Sequence, residues 1–352
     1  MRTEQVAALL EAAPTYLGTS HRRPTVKEVV GRIRRGLASL FDIPDGYEVI
    51  LGNGGTTAFW DVATFCLIES RSQHCTYGEF SDRFATAVSK VPHLEAPEIR
   101  AAELGTRSEP LASSAVDTYA LTHNETSTGV FAPVARPRNE DGSSTGAIVI
   151  VDATSAAGGL RVDLGECDAY YFAPQKCFGS DGGLWLAIVS PAAIERSGAI
   201  ATSGRWAPPF LDFNKCVENS RLDQTTNTPA LATLFLLYDQ IEWINELGGL
   251  EWSASRCDLS AEILYGWADR SSFANPFVAP NARSHVTATI DFAEGVDATG
   301  VAEVLRQNGI VDTESYGKLK RNQLRVALFP SIEPSDVEAL TACIDWVVER
   351  VA

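Results

Sequence analysis

The sequence predicts an α/β fold, with a large unit built on a mostly parallel sheet and a smaller C-terminal α/β unit. Three observations predict it. Short apolar runs alternate with helical periodicity along most of the chain, the pattern of strands joined by crossover helices. The runs at 47–51, 116–122, 147–151 and 169–173 are largely apolar, as strands covered on both faces must be. Each gives way to glycine or polar residues at its carboxyl end, where sheets of this kind bind ligands. At 352 residues, with 45% hydrophobic and 21% charged residues, the chain can fill more than one core.

Charge narrows the partners. The chain has 29 Lys and Arg against 45 Asp and Glu, a net charge of −16. Such a field disfavours nucleic acid and anionic membrane surfaces, so neither is expected as a partner. Any small anionic substrate then requires a local basic cluster. No apolar run reaches membrane-spanning length, and the first residues lack a signal-peptide layout, so a cytoplasmic protein is expected. Cys66, Cys75, Cys167, Cys177, Cys216, Cys257 and Cys343 are odd in number and scattered, without a C-x-x-C. Neither a disulfide framework nor a zinc site is indicated.

In chain order, 4–13 reads as a short helix and 17–24 as a basic loop. Val26, Val29, Val30, Ile33, Leu37, Leu40 and Phe41 recur at helical spacing. Pro44-Asp45-Gly46 is a turn signal before the strand 47–51. Gly52-Asn53-Gly54-Gly55-Thr56-Thr57 then opens a helix to about 67. A strand over 73–77, a helix over 80–90 and a polar surface excursion over 91–114 follow. The strand 116–122 ends in His123-Asn124-Glu125-Thr126-Ser127-Thr128-Gly129, and a polar loop, 135–146, precedes the strand 147–151. Strands over 168–173 and 184–189 complete the large unit's sheet, and 205–210 reads as loop. Asn227 or Thr228 caps a long apolar helix, 230–247, with Pro229 in its first turn. Gly248-Gly249 marks the boundary between units 1–248 and 249–352. The second unit reads as helix 251–270, strand 286–292, helix 297–308, strand 323–328 and helix 334–351.

Four places carry candidate chemistry. Lys176 follows the buried strand 169–173 and Pro174. Burial there lowers a lysine's pKa and frees a nucleophilic amine, suited to Schiff-base formation with a carbonyl, above all that of pyridoxal phosphate. Taken alone, it is better read as a surface lysine just past a strand. Asp152 closes the strand 147–151, and would either cap the next turn or hold a pyridinium nitrogen protonated. The glycine turn around Gly55 is either an ordinary tight turn or a phosphate cup with free N–H groups at a helix N-terminus. His123 and Glu125 form an H-x-E without the P-C-x-x-C of zinc deaminases, so no metal is expected. The fourth place is 316–325, the densest basic stretch. It is either a solubilising loop or an anion clamp in which Arg325 grips a carboxylate.

As a set, these stretches resemble the phosphoserine aminotransferase family of actinobacterial type, within class V of the pyridoxal-phosphate-dependent aminotransferases. The resemblance rests on Gly18-Thr19-Ser20-His21-Arg22, Gly54-Gly55-Thr56-Thr57-Ala58-Phe59-Trp60, Tyr77-Gly78-Glu79-Phe80, 123–129, Val151-Asp152-Ala153-Thr154-Ser155, Ala173-Pro174-Gln175-Lys176, Asn227-Thr228-Pro229 and Arg321-Asn322-Gln323-Leu324-Arg325. It covers nearly the whole chain. It implies the aspartate-aminotransferase-type fold, pyridoxal 5'-phosphate as cofactor, and Lys176 as the residue that carries it and moves the substrate proton. Asp152 would face the ring nitrogen and Phe80 would stack on the ring, where the family usually has tryptophan. Gly55, Thr56, Thr154 and Gln175 would hold the cofactor phosphate, and Thr126 the phenolic side. Asn227 and Thr228 would reach the phosphate of a neighbouring subunit's cofactor, which implies a homodimer with shared sites. His21 and Arg22, also from the neighbour, would meet a substrate phosphate, and Arg325 the α-carboxylate.

The implied reaction interconverts O-phosphoserine plus 2-oxoglutarate and 3-phosphohydroxypyruvate plus glutamate by ping-pong transfer, in serine biosynthesis. The chain departs from the family in three ways. Relatives carry a preceding glycine-proline segment, have arginine at Gly317, and usually have tyrosine at Thr226. The alternatives are a class V aminotransferase for another keto acid in specialised metabolism, and a class V lyase.

Overall fold

The computed structural model describes residues 1–351. The chain opens with α1 (Thr3–Tyr16) and α2 (Pro24–Leu40). β1 (Glu48–Asn53), α3 (Thr56–Cys66), β2 (Ser72–Thr76), α4 (Glu79–Ser89) and β3 (Glu98–Ala101) then alternate. β4 (Thr118–Thr122) leads into a small ribbon of β5 (Asn124–Glu125) and β6 (Val130–Phe131). β7 (Ile148–Asp152), β8 (Ala169–Phe172) and β9 (Leu184–Val189) follow, and then α5 (Pro191–Thr202), α6 (Phe213–Arg221) and α7 (Leu231–Glu246). α8 (Gly249–Arg270) runs to β10 (Ala274–Pro276), β11 (Thr287–Phe292), α9 (Ala298–Gln307), β12 (Gln323–Ala327) and α10 (Pro334–Val351).

Seven strands form one sheet in the order β1-β9-β8-β7-β4-β2-β3. β3, β2, β4, β7 and β8 pair in parallel, and β9 runs antiparallel to both its neighbours. β1 therefore points the same way as the parallel set. The ends of β1, β2, β4, β7 and β8 all open on one edge, and that edge collects the polar residues that mark the candidate site.

Side chains alternate across the sheet with period two. Val149, Val151, Tyr170, Phe172, Leu184 and Leu186 pack with α2, α7 and the start of α8 on one face. Ile148, Ile150, Ala169, Tyr171, Trp185 and Ala187 pack with α3, α4 and α6 on the other. Burial on both faces explains why these strands read as continuous apolar runs. β10, β11 and β12 form a separate antiparallel sheet under α9, α10 and the second half of α8. α8 serves both regions: Cys257 belongs to the large core and Ala261, Leu264 and Trp267 to the small one.

The stretch after 190 is more helical than its sequence suggested. Ser190 caps α5 by accepting from the Ala193 N–H at 3.2 Å, with Pro191 at the first position, and Asp212 caps α6 from the Lys215 N–H at 3.2 Å. The excursion over 91–114 contains β3, a half-exposed edge strand with no apolar run to betray it. Among the described residues, no helix is long and apolar enough to cross a membrane.

Candidate active site

At the polar edge of the sheet lies a cavity of about 270 Å³ lined by Gly55, Thr56, Thr57, Trp60, Phe80, Thr122, Asn124, Thr126, Asp152, Thr154, Gln175 and Lys176. These residues come from the ends of β1, β4, β7 and β8, from β5 and the turn after it, and from the first two turns of α3 and the start of α4. The parallel register brings them together: Thr122 sits beside Asp152, and Asp152 beside Tyr171.

Asp152 is 5% exposed. Its Oδ1 accepts from the Thr154 N–H at 2.9 Å and the Thr154 hydroxyl at 2.6 Å, and its Oδ2 from the Tyr171 hydroxyl at 3.0 Å and the Trp60 indole N–H at 3.3 Å. Burial pushes its pKa up, and these donors oppose the rise. Of the two readings offered for this aspartate, the capping one is seen directly. It does cap the turn through Thr154, and its other oxygen is fixed at the cavity wall.

Lys176 follows β8 and begins a single 3₁₀ turn, Lys176–Phe178. Its φ of 73° places a non-glycine residue in the left-handed region, a strain of roughly 1–3 kcal/mol that surrounding structure must hold. Two backbone bonds do so: Ser180 N–H to the Pro174 carbonyl at 3.1 Å, and Gly179 N–H to the Lys176 carbonyl at 3.0 Å. Burial, and then the like charge of Arg325, push the Lys176 pKa below the ordinary lysine range. A surface lysine would show neither effect, and a lowered pKa is what a nucleophilic amine requires.

The rest of the wall suits an anionic, ring-bearing group. Gly55 caps α3 without a side chain, a Cβ there would meet nothing within 4 Å, and the Thr56 and Thr57 N–H groups find no acceptor among the described residues. That end of a helix attracts anions. Gln175 Oε1 and Asn124 Oδ1 are buried without a hydrogen-bond partner, and buried acceptors of this kind call for a ligand or water donor. The Thr126 hydroxyl meets Ser155 Oγ at 2.7 Å. Phe80, at the start of α4, presents a ring to the cavity.

The α4 terminus is held by Glu125, whose buried carboxylate accepts from the Ser81 N–H and hydroxyl at 2.9 Å each, and from the Ser127 hydroxyl at 2.6 Å. Burial raises its pKa. This is the structural use of the H-x-E pair, while His123 donates to or accepts from Tyr170 at 3.0 Å. Gly78 is obligatory beside it: a Cβ there would lie 2.4 Å from Glu125 Cγ.

Arg325 does not line the cavity but stands over it. Its Nη1 reaches the Thr126 carbonyl at 3.4 Å, and its guanidinium lies 5.5 Å from the Tyr316 ring, which in turn lies 5.7 Å from the Phe80 ring. The carboxylates that it feels, Asp312 and Glu314, are both held by Arg306, at 3.0 and 2.6 Å. Arg325 itself has no ion-pair partner among the described residues, and burial lowers its pKa. Lys320 is likewise without an ion-pair partner among the described residues, but two other cations of the basic stretch are paired. Lys318 pairs with Glu79 and Arg321 with Asp291. Two of its charges are thus neutralised within the fold, and one guanidinium, that of Arg325, is left unpaired among the described residues.

His21, Arg22, Asn227 and Thr228 form a second group outside the cavity. Thr228 Oγ1 meets His21 Nδ1 at 3.1 Å, and the Asn227 N–H meets Asn53 Oδ1 at 3.1 Å. Burial, then Arg22, lower the His21 pKa. Arg22, Asn227 and Thr228 are exposed. Sequence reasoning missed Trp60, Tyr171 and Tyr316 as parts of the site. Trp60 lies one turn beyond Thr56 in the same helix, which was the available signal.

Comparison with known proteins agrees with this geometry. A family model described as aminotransferase class-V matches residues 8–317, and the chain belongs to that family. It is 55% identical over 352 residues to a protein of Nocardioides sp. named phosphoserine aminotransferase, covering 100% of this chain and 94% of that one. A solved structure of a phosphoserine aminotransferase from Cytophaga hutchinsonii superposes with a TM-score of 0.87 at 25% identity, covering 99% of this chain and 94% of the other. A phosphoserine aminotransferase from Trichomonas vaginalis, solved with pyridoxal phosphate bound, shares the fold at TM-score 0.82 and 15% identity, covering 98% and 97%.

Proposed function

We propose that the chain is a pyridoxal-phosphate-dependent transaminase acting between O-phosphoserine and 2-oxoglutarate, in serine biosynthesis. One observation carries the reading. A nucleophilic lysine and a donor-ringed aspartate share a single cavity beneath an arginine that lacks a counter-charge. Near-full-length relatives of the stated name support the substrate.

Bound in this cavity, pyridoxal phosphate supplies an aldehyde for the amino group and a ring that withdraws electrons. The chain supplies the rest. Asp152 would hold the ring nitrogen, and Phe80 would cover a ring face. Gly55 and Thr56 would offer N–H groups and Gln175 its amide to the phosphate, Thr154, whose N–H and hydroxyl go to Asp152, would border it, and Thr126 would bound the phenolic side. Lys176, as a free amine, takes the proton from the substrate Cα and returns it. Arg325 orients the substrate through its α-carboxylate, the group common to every amino and keto acid in the cycle.

His21 and Arg22, with Asn227 and Thr228, are read as serving the cavity of a second copy of this chain, in a homodimer with shared sites. The exposure of Arg22, Asn227 and Thr228 and the separation of the group from the chain's own cavity support this. Residues 1–248 would then hold the cofactor, and 249–352 would bring Arg325 to the substrate.

The test compares O-phosphoserine with serine as amino donor to 2-oxoglutarate. A strong preference for the phosphorylated donor is expected, and equal kcat/KM values would refute the assignment. The pairing of Lys318 with Glu79 and Arg321 with Asp291 favours a second reading, a class V transaminase for an unphosphorylated keto acid. A keto-acid panel that beats 3-phosphohydroxypyruvate would establish it.

A further inference from the structure

We propose that Tyr171 and Trp60 are positioning residues that keep Asp152 ionised and aimed into the cavity through a directed hydrogen-bond relay. The proposal rests on the reading that this cavity takes pyridoxal phosphate. The direction of the relay follows from chemistry. Tryptophan is a donor only, so the Trp60 indole N–H donates to Tyr171 Oη at 2.9 Å. The Tyr171 oxygen is therefore an acceptor on that side, and its own proton goes to Asp152 Oδ2 at 3.0 Å. The same indole N–H also lies 3.3 Å from Oδ2. Indole, phenol and carboxylate form a closed triangle across α3, β8 and β7, in which each donor polarises the next.

Position alone would not require this. Thr154 already fixes Asp152 by two bonds to Oδ1. Tyr171 and Trp60 act on the other oxygen, so the carboxylate is clamped at both ends and cannot rotate. Both rings are locked by packing: Tyr171 stacks on Phe59 at 4.4 Å and 24°, and Trp60 on Phe84 at 5.8 Å and 14°.

No cation pairs with Asp152 among the described residues, so its charge depends on neutral donors. Lys176 lines the same cavity, and the other titratable groups close to Asp152 are phenols: Tyr77 from the end of β2, Tyr171 from β8 and, across the sheet, Tyr170. Burial pushes all three well above the ordinary tyrosine range, so they remain protonated. His74, on β2 behind Phe84, is pushed down to about 3 by burial and stays neutral. Arg83 lies 5.6 Å from the Trp60 ring. Loss of a donor to Oδ2 lets Asp152 take a proton at higher pH, and a neutral acid no longer holds a protonated ring nitrogen.

The experiment measures pyridoxal phosphate dissociation constants from pH 5 to 9, by quenching of protein fluorescence, for the wild type, Tyr171→Phe, Trp60→Phe and the double variant. Tyr171→Phe keeps the ring stack and should weaken binding by roughly tenfold to a hundredfold, the value of a hydrogen bond to a charged group. It should also move the acid limb of binding to higher pH. Trp60→Phe should do the same to a smaller extent, because the tyrosine proton remains. The double variant should lose less than the product of the single losses, since the two donors act in series. Thermal midpoints of the cofactor-free variants serve as the control. Weaker binding with an unmoved acid limb, or single losses that multiply in full, would overturn the relay and leave packing as the role. Absence of wild-type binding would instead overturn the cofactor reading itself.

Discussion

Replacing Arg325 with alanine tests the substrate side of the site most directly. The guanidinium is half-buried, its neighbouring carboxylates are committed to Arg306, and its remaining contacts are the Thr126 carbonyl and the Tyr316 ring. A substrate carboxylate would be its counter-charge. Truncating one partner of a desolvated, hydrogen-bonded charge pair costs about 2–5 kcal/mol. Taking about 3 kcal/mol, kcat/KM falls by roughly 150-fold. The loss should be equal for O-phosphoserine and glutamate, since both present the same α-carboxylate.

A second consequence follows from electrostatics. Arg325 is one of the two causes that lower the Lys176 pKa, so its removal raises that pKa towards the ordinary lysine value. Arg325→Lys keeps the charge but loses the planar fork, so it should cost activity without moving Lys176 as far. Steady-state kinetics with each substrate and the pH dependence of Lys176 acylation in cofactor-free protein measure the two effects. A loss confined to one substrate, or a Lys176 titration unchanged in Arg325→Ala, would refute the reasoning.

Further outcomes follow from the same geometry. Lys176→Ala should abolish turnover and the visible absorbance band of the loaded protein together; retention of either would remove the lysine from the chemistry. Because the folded protein lowers the Lys176 pKa, the unfolded chain binds the proton more tightly. Wild-type cofactor-free protein should therefore gain stability as pH rises through the folded-state pKa towards 10.5, the unperturbed value, whereas Lys176→Met should lack that rise in denaturant midpoints. Gly78→Ala should destabilise by roughly 1–3 kcal/mol, because the new Cβ must displace the buried Glu125 side chain, and a Tm within about a degree of wild type would contradict that packing. Lys318→Ala should change stability by less than about 1 kcal/mol, since its bond to Glu79 is an exposed ion pair.

Much of the site was legible in the amino-acid sequence. Lys176, Asp152 and the Gly55 turn could be placed at strand ends because a strand covered on both faces has to be apolar until it leaves the sheet. The pairing of those ends into one cavity was implied by the parallel pattern. The small strands β3, β5, β6 and β10 were not legible, since each is too short or too polar to leave a periodic trace. The basic stretch was ambiguous for another reason. Sequence shows that Lys318 and Arg321 are charged but not that Glu79 and Asp291, which are 239 and 30 residues away, come to meet them.

By itself, then, the sequence determined which residue types sit at the carboxyl ends of buried strands, because burial period and turn chemistry are local properties. Tertiary structure alone decided which charges are neutralised and which donors converge. Trp60, Tyr171 and Asp152 lie far apart in the chain and become a single hydrogen-bonded unit only when β7 and β8 pair beneath α3. Whether a buried charge is held or left free depends on distances of a few ångströms, and those are set by the packing of the whole fold.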